Sequence, residues 1–288
     1  MKPRAFGQIL PILEKEAAGE ADLLLLPETC LGKEPVLKMD GDEIRQVSAI
    51  ANKYKKYIVF PVYRSTEKIK RINSSILFDR AGKITGIYDK VYPYWSEFDL
   101  EPVTVPGDDA PVFETDFGKI GLAVCFDANF PEVWKRLSIN GAELVLWSSA
   151  YSAGTSLQAH AINHNYTIIS STNTPDCLVY DITGKELFYG QGEDVAVFRN
   201  DVDLDRCVFH FNFNVERRDK LLAEKAGEIE MDTELEKEQW FTLRAIKPGV
   251  SARALAREYG LEELTAYKLR SQVEIDKMRG YRFAGKTL

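Results

Sequence analysis

Residues 118–132 read GKIGLAVCFDANFPE. The apolar run Ile120–Val124 stops at Cys125, and Pro131 follows six residues later. A short apolar run bounded by turn signals reads as a buried strand. A proline in that position favours the first turn of a helix. Cys125 therefore stands where a buried strand gives way to a helix, the place where reactive groups gather in open α/β sheets. A thiol near the free N–H groups of a helix start ionises more readily, and the same groups can hold an oxyanion. A cysteine within a strand otherwise serves as a small hydrophobe; its position is what separates the two readings.

The same pattern extends outward. Residues 130–147 (FPEVWKRLSINGAELVLW) read as helix, Gly141, then strand, and 156–173 (SLQAHAINHNYTIISSTN) repeat that order. Upstream, 110–127 form a hairpin turned at Asp116–Lys119. Residues 73–90 (NSSILFDRAGKITGIYDK) form another, turned where Gly82 can take positive φ. DLLLLPE (22–28) and YIVFPVYR (57–64) read as buried strands. Between them Ile44, Val47, Ile50 and Ala51 recur at helical spacing, as do Ile9, Leu10, Ile12 and Leu13 in a helix over 7–18. Residues 176–204 are rich in β-branched and aromatic types and read as successive antiparallel strands. Residues 89–110 carry three prolines and no period, which marks a functional loop. Mixed sheets with outer helices follow, an α/β class.

Bulk composition narrows the function. A chain of 288 residues suits one large domain with an appendage, and a net charge of −7 argues against a surface built for nucleic acid. No apolar run approaches the roughly 20 residues that span a bilayer, and the N-terminus lacks a secretory pattern. Cys30, Cys125, Cys177 and Cys207 form no C-x-x-C pair, so they read as reduced thiols of a cytoplasmic protein. His160 and His164 lie four apart without the glutamate of a zinc helix and read as a polar helix face; no metal is expected.

A nucleophilic thiol needs a base, and the three histidines offer no context for one. Glu28 lies just past a buried apolar strand, where burial makes a carboxyl a better base and acid near neutrality; the alternative is a solvated loop acid. Lys90 also lies at a strand end, either as a surface lysine or as a group that stabilises a tetrahedral anion.

LLLLPE (23–28), YDKVYP (88–93) and GKIGLAVCFDANFPE, in that order, resemble the three signature regions of the nitrilase superfamily, the carbon–nitrogen hydrolases. The resemblance covers residues 5–215 and implies a four-layer αββα sandwich. It implies Glu28 as general base and acid, Lys90 as stabiliser of the intermediate, and Cys125 as the acylated nucleophile, with no cofactor. It also implies a second glutamate after the lysine: Glu101, eleven residues on, resembles the carbamoyl-hydrolysing members, with Glu97 as the alternative. ELVLWSSAYS (143–152) resembles the substrate-pocket strand and loop, which makes Trp147, Ser148 and Tyr151 candidate substrate contacts; Asn173 closes the next strand. Phe126 and Asp127 resemble amidase-type members, so a small amide or carbamoyl substrate is expected over a nitrile. One departure is that family members begin with an apolar strand before the first helix, and this chain starts close to that helix.

The resemblance divides the chain into a hydrolase domain, 1–215, and a charged, helical extension, 216–288, whose end, FAGKTL, is expected to fray. Leu221, Leu222, Leu235, Trp240, Phe241, Leu243, Leu255, Leu264 and Leu269 give the extension more apolar surface than water would cover. It should pack on the same chain or a second copy, and a homodimer or higher homo-oligomer is expected. Two other classes stay open: an inactive binding or scaffold protein, and a regulator using residues 249–270 as a helix-turn-helix. Against the latter, Glu262 and Glu263 stand where a recognition helix would meet phosphate.

Overall fold

The computed structural model describes residues 1–281. The chain enters helix α1 (Phe6–Ala17), whose Ile9, Leu13 and Ala17 recur on one face and are buried. Strand β1 (Leu23–Leu25) and the short β2 (Leu37–Lys38) follow. Helix α2 (Asp42–Tyr54) buries Ile44, Val47, Ile50 and Ala51, the stripe its spacing gave, and begins with Asp42 and Glu43 where acids suit the helix dipole. Strands β3 (Tyr57–Ser65), β4 (Ile72–Phe78) and β5 (Ile84–Asp89) complete a sheet in the order β1-β3-β4-β5, with β2 also on β3. β1 and β3 run parallel; the β4–β5 hairpin turns at Gly82, with φ +77°.

The second sheet is built from β6 (Val112–Thr115), β7 (Gly118–Val124), β8 (Leu144–Ser149), β9 (Thr167–Thr172), β10 (Asp176–Tyr180) and β11 (Glu186–Gln191), ordered β11-β10-β9-β8-β7-β6. Helices α3 (Pro131–Ile139) and α4 (Gly154–His164) connect the parallel β7, β8 and β9. One core joins α1 and α2 to the outer face of the first sheet. The other joins that sheet's inner face, through Val59, Leu77 and Tyr88, to the second sheet and to α3 and α4. The order helix, sheet, sheet, helix is the expected four-layer sandwich, and both faces of β3 and β4 are covered, which is why those strands are apolar throughout.

Two expectations are corrected. Residues 192–206, read as a continuing strand, enter no ladder. The extension is not wholly helical: β12 (Cys207–His210) pairs with β14 (Trp240–Ala245), which pairs with β13 (Ile229–Leu235), and helices α5 (Val215–Glu224), α6 (Ala252–Glu258) and α7 (Leu264–Met278) pack on this sheet. Leu221, Phe209, Phe241, Leu243 and Ala256 form its core, so most of the extension's apolar content is buried within the chain. Because β12 belongs to this sheet, the structural boundary falls before Cys207 and not at 215. Glu262 binds His210 and Arg270, and Glu263 is bridged to Phe209, so the start of α7 is docked on the sheet and not free to enter a DNA groove. No helix among the described residues is long and apolar enough to cross a membrane. The expected fraying of 283–288 lies outside the described residues.

Candidate active site

Glu28, Lys90 and Cys125 meet between the two sheets. Glu28 follows β1, and Thr29 (φ +40°) turns the chain away directly after it. Lys90 follows β5. Cys125 follows β7 and has itself a left-handed φ of +47°, a conformation that costs a non-glycine residue of order 1–3 kcal/mol and persists where surroundings enforce it.

The enforcement is visible. Residues Cys125–Asn129 form a tight 3-10 turn before α3, with Pro131 in that helix's first turn. Within the turn, Asp127 is fully buried and accepts from the Val124 N–H at 2.9 Å, the Tyr92 N–H at 2.9 Å and the Tyr88 hydroxyl at 2.6 Å. One carboxylate thus ties the nucleophile's turn to both flanks of Lys90. Burial raises the Asp127 carboxyl to about 6, against the lowering influence of these donors. Trp134 donates to the Asp127 carbonyl oxygen at 2.9 Å, and Trp147 donates to that of Cys125 at 3.2 Å. His160 stacks on Trp134 and its Nε2 meets the Ala128 carbonyl oxygen at 3.0 Å. His160 is therefore a buried support of the turn, not part of a polar face, and among the described residues no cluster of potential metal ligands occurs.

Lys90 lies between two carboxylates. Its Nζ donates to Glu28 Oε1 at 2.7 Å and to Glu97 Oε2. Burial alone would depress this amine, but Glu28 and Glu97 outweigh it and hold the ammonium above its ordinary range. Burial opposes ionisation of Glu97 too, yet Lys90, Asn73 and the Tyr94 N–H bring it below its ordinary value. Glu97 is thus the second glutamate at the site. Glu101, the first choice from spacing, is exposed; Glu97 reaches inward because a 3-10 turn, Trp95–Glu97, folds the loop back after only seven residues. Tyr63 donates to Glu97 Oε1 at 3.0 Å, and Asn73 donates to both Glu28 and Glu97 at 2.9 Å. Sequence reading missed Tyr63 and Asn73, although an asparagine within the apolar strand INSSILF was a signal that something polar awaited it.

Glu28 is buried, but its expected apolar surroundings are only partial. Besides Lys90 and Asn73 it accepts the Ala150 N–H on Oε2 at 2.9 Å. Burial and the Glu28 charge push the Cys125 thiol up to about 12, while Lys90 and the Ala150 N–H pull the other way. The resting sulfur is a neutral thiol.

The expected substrate contacts divide. Trp147 and Ser148 have no exposed surface to offer a ligand: Trp147 backs the nucleophile, and Ser148 donates to the Leu26 carbonyl oxygen at 2.9 Å, tying β8 to the end of β1. Asn173 donates to the Glu28 carbonyl oxygen at 3.0 Å. Tyr151 remains half-buried at the mouth, edge-on to Trp147, with its hydroxyl accepting from Asn129 at 3.2 Å. Tyr92, Phe130, Phe126 and Tyr94 stack in sequence beside it.

Comparison with known proteins gives this geometry a context. A probable nitrilase of Schizosaccharomyces pombe is 34% identical over 119 residues, covering 39% of this chain and 43% of that protein. A beta-ureidopropionase of Arabidopsis thaliana is 28% identical over 163 residues, covering 50% of this chain and 39% of that one. The chain thus spans less than half the length of these two relatives. An amidase from Nesterenkonia sp. AN1 shares the fold, with a TM-score of 0.59 at 22% identity over 66% of this chain and 85% of its own. The carbon-nitrogen hydrolase family model matches residues 4–202, well over half of the sequence, and the chain belongs to that family.

Proposed function

We propose that the protein hydrolyses a small amide or N-carbamoyl compound through an acyl-cysteine intermediate. The observation that carries this reading is the Glu28 carboxylate, held by Lys90 Nζ on one oxygen and the Ala150 N–H on the other, both neighbours that also act on the Cys125 thiol. With the thiol neutral at rest, its proton passes to Glu28 as Cys125 Sγ attacks the substrate carbonyl carbon. Lys90 stabilises the oxyanion, and Glu97 keeps Lys90 charged and oriented. As the intermediate collapses, the C–N bond breaks, Glu28 returns the proton to the leaving nitrogen, and ammonia or an amine departs. Water, deprotonated by Glu28, then attacks the thioester, and the acid leaves with Cys125 restored as a thiol. The Nesterenkonia amidase carries acrylamide on its active-site cysteine by Michael addition, chemistry consistent with a thiol in this role.

Ammonia release measured across ω-amides, N-carbamoyl compounds and nitriles tests the reading. Turnover of an amide or carbamoyl compound by the native chain, and none by a folded Cys125→Ala variant, is expected. Equal turnover by Cys125→Ala, or turnover confined to nitriles, overturns it.

A further inference from the structure

The first sheet has an open edge inside the sandwich. β1 is terminal, paired only with β3. Tyr57 N–H donates to the Asp22 carbonyl oxygen, and Leu26 N–H donates to that of Val59. By the alternation of a parallel ladder, the backbone groups of Leu23 and Leu25 then point the other way. They face an apolar groove of about 660 Å³, roofed by Ile9 and Leu13 of α1 and floored by Ile169 and Val179 of the second sheet. All three β1 leucines stay partly exposed, although Leu23 and Leu25 belong to one core and Leu24 to the other.

The opposite wall is residues 195–205. Asp201, Val202, Asp203 and Leu204 alternate exposed and half-buried, the period of a strand, but among the described residues no backbone N–H of 193–206 donates to another backbone group. A strand 4.8 Å from its neighbour in a layer 10 Å thick fills about 160 Å³ per residue, so the groove matches about four residues of strand. Its polar lining is one-sided: seven carboxylates, among them Glu20, Asp22, Asp201 and Asp203, against one cationic side chain, Arg199.

We propose that this groove is a docking slot for an extended strand of a partner protein, apolar at its centre and flanked by lysine or arginine. The strand adds to the β1 edge through the backbone of Leu23 and Leu25, buries its side chains on both cores, and sets its cations against the acidic rim. Main-chain pairing gives such a site its affinity and the alternate side-chain pockets its specificity.

The test uses the full chain and a fluorescein-labelled peptide with an alternating valine–isoleucine centre and lysine flanks. Fluorescence anisotropy should show saturable binding that weakens with salt, and hydrogen exchange at Leu23 and Leu25 should slow on binding. The same peptide N-methylated on alternate backbone amides should not bind. Val202→Lys, which sets a charge in the half-buried wall, should weaken binding at least about tenfold while the thermal melt stays cooperative. No binding by the folded native chain, or equal binding by the N-methylated peptide, overturns the proposal. So does equal binding by a peptide with glutamate flanks, which removes the charge complementarity. A peptide-free chain already protected at Leu23 and Leu25 through self-association, seen by sedimentation and lost in Val202→Lys, assigns the groove to a second copy and also overturns it.

Discussion

A buried lysine between two carboxylates sets the chemistry one residue at a time. Replacing Glu97 by Gln removes a charge in direct contact with Lys90, whereas Glu101→Gln alters a solvated side chain. The expected kcat/KM falls by about 10²-fold for Glu97→Gln, on the scale of a lost acid–base partner, and stays within about twofold for Glu101→Gln. The reverse ranking in steady-state kinetics would return Glu101 to the site. Asp127 gives a second reading at this scale. Its carboxyl, raised to about 6 by burial, should titrate there by carbon NMR. Tyr88→Phe removes a donor to the charged form and should raise that midpoint further. The sign for stability follows from linkage: a raised carboxyl favours the fold fully below the unfolded value of 3.8, and that contribution is lost as pH rises through about 6. A midpoint unchanged in Tyr88→Phe would contradict the hydrogen bond's role.

The elements that carry these residues are held by groups the motifs do not contain. Arg71, 1% exposed at the start of β4, donates to the Lys33 carbonyl oxygen at 2.6 Å and to that of Pro102 at 3.0 Å, and its guanidinium lies 4.9 Å from the Tyr63 ring centre. It thereby fastens the loop after Glu28 and the loop after Glu97 to one strand. Arg71→Leu leaves buried acceptors unpaired and should cost about 3 kcal/mol in urea unfolding, with a parallel fall in kcat/KM. Undiminished stability in that variant would mean water replaces the guanidinium. The strand-end placement of Glu28, Lys90 and Cys125 was legible from apolar runs that stop abruptly. Arg71 was not, because an arginine within a strand reads as surface until the two loops it holds are known to meet.

At the scale of the molecule, the extension's core removes one route to assembly and leaves another. Helix α7 has no buried residue, and Ile275 and Met278 stand exposed near its end. The proposed homodimer would use this face, so light scattering at micromolar concentration should give a dimer that Ile275→Glu with Met278→Lys reduces to a monomer. A native monomer refutes it. Truncation at 215 is a poor substitute, since it strips β12 of its partner and bares Phe209. The sequence by itself determined the layered α/β class, the three strand-end residues and the turn at Gly82, because apolar period, breakers and left-handed glycine are local properties. It could not decide between Glu97 and Glu101, which depends on how a loop without a period folds back. Nor could it see that 192–206 lack a ladder or that Trp147 and Ser148 are interior supports. Those are decided by which edges and faces come together in space, and a strand's own residues do not state whether a neighbour is there to pair with it.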